Sequence, residues 1–88
     1  MKLIIAIIKD EDNDPVSRAL TKEDFRVTLT ASTGGFLRSG RSTLLIGVED
    51  DQVDQALEII RENCKKPQKS DEKRATIFVL NVHKFTQL

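Results

Sequence analysis

Eighty-eight residues hold one domain, expected to span 1–88, and a chain this short buries only about 60–65% of the surface it exposes when unfolded, so its own core is modest. Lysine and arginine number 14, as do aspartate and glutamate, and the net charge of +0 excludes a general pull towards nucleic acid or an anionic membrane, leaving any anion to a local site. Cys64 is the only cysteine, which excludes an intrachain disulfide and a four-ligand zinc site of the usual kind.

Residues 3–8 (LIIAII) are continuous, apolar and mostly β-branched, the pattern of a central strand buried on both faces. Six residues are far too few to span a bilayer. With no charged segment before it and no small-residue cleavage site after it, the run is not expected to be a signal peptide, and the chain reads as cytoplasmic. Asp14 then caps a helix with Pro15 at its first position, and Val16, Ala19 and Leu20 give it an apolar face to about Glu23.

Phe25, Val27 and Leu29 alternate with Arg26, Thr28 and Thr30, predicting a strand with one apolar and one polar face. Residues 33–41 carry three glycines and read as a loop. Residues 43–48 (TLLIGV) are a further apolar strand with Gly47 inside it. Asp50 or Asp51 caps a second helix whose apolar positions are Val53, Ala56, Leu57, Ile60 and Cys64. Residues 65–74 are polar and read as a solvated loop, and residues 75–80 (ATIFVL) are the last strand. The order β-α-β-β-α-β predicts an α+β, ferredoxin-like fold: a four-stranded antiparallel sheet with two helices on one face. Its other face then needs cover, and strands this apolar favour another subunit.

Residues 25–47 hold the parts of a nucleotide site. Arg26 and Thr28 offer a guanidinium and a hydroxyl to phosphate, Gly34 and Gly35 let backbone N–H groups approach it, and Phe36 offers a ring to a base. The same residues also describe a Gly-rich hairpin with a solvated polar face. Spacing alone leaves both readings open, since neither G-x-G-x-x-G nor a P-loop is present. Asp10, Asp12 and Asp14 imitate the start of a calcium loop, but Pro15 stands at the required glycine and Thr21 at the bidentate glutamate, so capping and turn formation are expected instead. Cys64 is expected to be buried and inert, and His83 to be a surface or interface residue. No paired nucleophile and base, no metal cluster and no carboxylate pair outside the caps is apparent, so no enzyme activity and no cofactor is expected. The same topology belongs to RNA-binding RRM modules, but those stack bases on central-strand aromatics, and residues 3–8 and 43–48 contain none.

Three blocks of this sequence resemble the PII-like cyclic-di-AMP receptor family in order: MKLIIAIIKDED at the start, FRVTLTASTGGFLRSGRSTLLIGVED in the middle and ATIFVLNVHKFTQL near the end. The resemblance implies a PII-like homotrimer that binds cyclic di-AMP at each subunit boundary and relays its level to an unknown protein target. It implies a ligand site lined by Arg26, Thr28, Gly35, Phe36, Leu37 and Gly47, with ring stacking from Phe78 and a hydrogen bond from Gln87. Two departures stand out. Arg41 replaces the family's usual asparagine, and it meets phosphate but accepts no hydrogen bond from an adenine amino group. The loop before the last strand is much shorter than usual, with Lys73 and Arg74 in place of glycines. These departures keep a second reading open, the same fold binding ATP, ADP or AMP.

Overall fold

The computed structural model describes residues 1–30, 40–65 and 73–88. Its elements are β1 (Lys2–Lys9), α1 (Asp10–Lys22), β2 (Arg26–Thr30), β3 (Arg41–Val48), a short 3-10 helix (Asp50–Gln52), α2 (Val53–Asn63) and β4 (Ala75–Asn81). The strands form one antiparallel sheet in the order β2-β3-β1-β4. This is the ferredoxin-like α+β arrangement that the alternation of elements predicts. The 33–41 loop lies largely outside the described residues, as does most of the 65–74 segment.

Directly opposed residues of a sheet share a face, so the register separates its two sides. Val27, Ile46, Ile4 and Val79 form one row, and Ile4, Ala6, Ile8, Leu44, Ile46 and Val48 on this side are buried. Val16 and Leu20 from α1 and Ala56 and Ile60 from α2 close over them in a single core. Each fully buried aliphatic side chain contributes roughly 1.5–3 kcal/mol relative to exposure, so this one layer supplies most of the fold's driving force. Both helices therefore cover the same face. On the other face Leu3, Ile5, Ile7 and Leu45 are only half-buried. β1 is central, as predicted, but only one of its sides is buried, because both helices of the described residues cover that one side.

α1 begins four residues before the predicted capping position and carries Pro15 inside it. Tertiary contacts account for the early start. The Asp10 N–H donates to the Gly40 carbonyl at 2.9 Å, and the Ser42 hydroxyl donates to Asp10 Oδ1 at 2.5 Å. Asp12, 0% exposed, accepts the Arg74 guanidinium at 2.8 Å and the Lys65 N–H at 3.2 Å. Three acidic residues in the first turn also suit the positive end of the helix dipole. Together these outweigh the one intrahelical hydrogen bond that Pro15 cannot donate. At the other end, Asp24 adopts φ 66°, and the N–H groups of Asp24 and Phe25 donate to the carbonyls of Thr21 and Leu20. That is a Schellman ending with aspartate at the left-handed position.

Two further expectations change. The turn before α2 is closed by Glu49 rather than by Asp50 or Asp51: the Glu49 N–H donates to Gln52 Oε1 and its carbonyl accepts the Gln52 N–H, each at 2.9 Å. Arg74, read as part of a solvated loop, has a side chain only 9% exposed and bridges Asp12 and Glu11 at 2.8 Å each. Lys65 reaches Glu11 at 3.3 Å, so Lys65 and Arg74, on either side of 66–72, are both tied to the first turn of α1. Arg74 and Lys65 hold the Glu11 carboxyl below its ordinary range. Cys64 is half-buried rather than fully buried; burial and then Asp12 push its thiol up.

Candidate functional site

The open face of the sheet reads, row by row, Arg26–Gly47–Leu3–Leu80, then Thr28–Leu45–Ile5–Phe78, then Thr30–Thr43–Ile7–Thr76. The first row has a gap at its second position. Gly47 has no side chain, and the void between Arg26 and Leu3 becomes the floor of a hollow; a Cβ built there would meet only the flexible end of Met1, at 3.1 Å. The Val82 N–H donates to the Met1 carbonyl at 3.1 Å, carrying the β4–β1 ladder one step past Asn81. The tail therefore leaves the sheet beside Met1 and brings Phe85 and Gln87 to the same hollow.

The result is a pocket of about 540 Å³ lined by Met1, Lys2, Leu3, Arg26, Thr28, Leu45, Gly47, Val82, Phe85 and Gln87. This volume is in the range of small-molecule sites. Among the described residues, no aspartate or glutamate is in the lining. Lys2 belongs to the helix-side row of β1, where its ammonium donates to Asn81 Oδ1. The Met1 ammonium pairs with Asp50 Oδ1 at 3.0 Å, which together with Lys2 holds the Asp50 carboxyl below its ordinary range. That leaves the Arg26 guanidinium, exposed and paired with no carboxylate of the described residues, as the positive charge on the pocket's floor. The Thr28 hydroxyl and the Gln87 amide complete the polar inventory: one more donor and acceptor, and an amide that both donates and accepts.

Four of the nine residues singled out from sequence, Arg26, Thr28, Gly47 and Gln87, meet in this pocket although they span positions 26 to 87. Gly35, Phe36 and Leu37 lie outside the described residues. Arg41 and Phe78 are on the same face but elsewhere. Arg41 opens β3, six residues from Gly47, or roughly 20 Å along the strand. Phe78 is on the outer strand β4, three strand spacings from Thr28, or roughly 14 Å across the sheet, and is 50% exposed. Sequence reasoning did not single out Phe85, which stands at the pocket. Its only signal was its place two residues before Gln87 in an apolar-polar tail.

A family model described as cyclic-di-AMP receptor matches residues 1–72, ending just before β4. Among solved structures, the chain is similar to a functionally unknown protein from Pediococcus pentosaceus. The two are 34% identical, with a TM-score of 0.78 over 99% of this chain and 96% of that one.

Proposed function

This chain belongs to the cyclic-di-AMP receptor family, and we propose that it is a PII-like signalling protein that binds cyclic di-AMP in the pocket of Arg26, Thr28, Gly47 and Gln87. The observation that carries this reading is the convergence of those four residues on one hollow, with no carboxylate among its described lining residues, in a chain with as many acidic as basic residues. Local charge, not net charge, selects the anion. Arg26 and Thr28 face a phosphate, the missing side chain of Gly47 lets the ligand lie against the strand, and Gln87 bonds a base edge. Binding of this kind needs no general base and no metal, so the protein acts by occupancy and is not an enzyme.

The reading includes a homotrimer with the ligand at the subunit boundaries. Its support is the uncovered sheet face, which carries Phe78 and Leu80 with half their surface exposed. A second support is the separation of Arg41 and Phe78 from the pocket. Neither side chain is in the pocket's lining within one chain, and both join a ligand at Arg26 from an adjacent copy. In this arrangement the ligand is a bridge between copies, and its level is passed to a protein target in the cytoplasm.

Calorimetric titration of the parent and Arg26→Ala with cyclic di-AMP, AMP, ADP and ATP tests the proposal. Cyclic di-AMP is expected to bind the parent best, and loss of the guanidinium to cost about 1.5–3 kcal/mol, the range of a hydrogen bond to a charged group. Tight binding of a mononucleotide with no response to cyclic di-AMP overturns it.

A further inference from the structure

The geometry points to Phe85 as a base-stacking residue, and to residues 82–88 as an arm that recognises one adenine by its ring face and its edge together. This inference rests on the cyclic-di-AMP reading and adds to it a contact that the residues matched by the family model do not contain.

The chain has four phenylalanines and no tryptophan or tyrosine, so few side chains can stack on a base. Phe25 is buried in the core, Phe36 is outside the described residues, and Phe78 is on the far strand. Phe85 alone among the described aromatics lines the pocket, and it is 62% exposed. A ring so exposed gains from any flat apolar partner that covers it, and a nucleobase is such a partner. Its position is also specified. The Val82–Met1 hydrogen bond fixes where the tail leaves the sheet. Three residues later comes Phe85, and two beyond it Gln87, which lines the same pocket. A purine needs both functions: a π-face that tolerates any base, and an amide whose donor and acceptor match the adenine edge. Arg26 and Thr28, across the pocket, are left to the phosphate.

Phe85→Ala, Phe85→Leu and Phe85→Trp, each titrated with cyclic di-AMP beside the parent, test the assignment. Alanine is expected to weaken binding at least fivefold, the low end for one lost base stack. Leucine, which restores apolar bulk but no ring, should recover less than half of that loss on a logarithmic scale. Tryptophan should bind within about threefold of the parent, and its indole, the only one in the chain, should be quenched on saturation. Equal binding by parent and alanine variant, full rescue by leucine, or an indole unmoved at saturation overturns the inference and leaves the ligand reading standing. A parent that binds no cyclic di-AMP overturns both.

Discussion

Removing the Asp12 carboxylate is expected to be among the most damaging single truncations of a polar side chain in this protein. Asp12 is fully buried; one oxygen accepts Arg74 Nη2 at 2.8 Å and the other the Lys65 N–H at 3.2 Å. Asp12→Ala deletes two charge-assisted hydrogen bonds, each worth roughly 1.5–3 kcal/mol, and leaves a guanidinium that is 9% exposed facing a small cavity. Losing one partner of a buried pair costs about 3–5 kcal/mol when nothing replaces it. Here Glu11 still accepts from the same Arg74 nitrogen, so the cost should be about 2–4 kcal/mol. At a urea m-value near the low end for small proteins, about 1 kcal/mol per molar, the midpoint falls by about 2–4 M. The assay is urea unfolding at one fixed protein concentration, because association would otherwise shift the midpoint. Arg74→Ala and the double variant complete a cycle, with an expected coupling of at least about 1 kcal/mol. A loss below about 0.5 kcal/mol for Asp12→Ala, or strictly additive variants, would refute the idea that this pair fastens the start of β4 to α1.

Three further outcomes follow from other parts of the molecule. Gly47→Val should abolish detectable cyclic-di-AMP binding while leaving far-ultraviolet dichroism unchanged, since the first added carbon meets only the movable end of Met1 and the rest fills the pocket floor; retained binding would show that the ligand lies elsewhere. Asp24→Gly should stabilise the fold by about 0.5–1 kcal/mol in thermal melts, because only glycine takes a left-handed φ without strain. Glu11, whose carboxyl is held below its ordinary value of 4.5 by Arg74 and Lys65, contributes stability that is fully present above that value and is lost as pH falls through its lower folded value. Urea midpoints of Glu11→Gln should therefore fall less steeply than those of the parent between about pH 5 and pH 3, and equal slopes would count against the ion pairs.

The strands were legible from sequence because their signal is local. Residues 3–8, 43–48 and 75–80 each found their place in the sheet, extended by one or two residues at most at each end in the structure. The alternation around Val27 also separated Arg26 and Thr28 from the core side correctly. The start of α1 was not legible, since Asp10 and Asp12 are recruited into the helix by partners 30 to 62 residues away, and no window of neighbouring residues contains Gly40, Ser42 or Arg74. For the same reason Arg74 passed for a solvated residue. In the pocket, Arg26 and Thr28 were readable as a guanidinium and a hydroxyl on the polar face of one strand. What could not be read was register: that Gly47 stands beside Arg26, and that Arg41 and Phe78 stand apart from both, depends on pairing across strands. Phe85 escaped notice because an irregular tail has no period to mark which side chains point inward.

The central claim concerns one place on the protein, so the most direct measurement is a map of backbone amide shifts as cyclic di-AMP is added to isotopically labelled protein. The largest changes are expected at Arg26, Thr28, Gly47 and Gln87, with Asp12 and Asp54, beneath the opposite face, nearly still. Saturation of the protein with those four amides unmoved, and the changes gathered on the helices instead, would contradict the account.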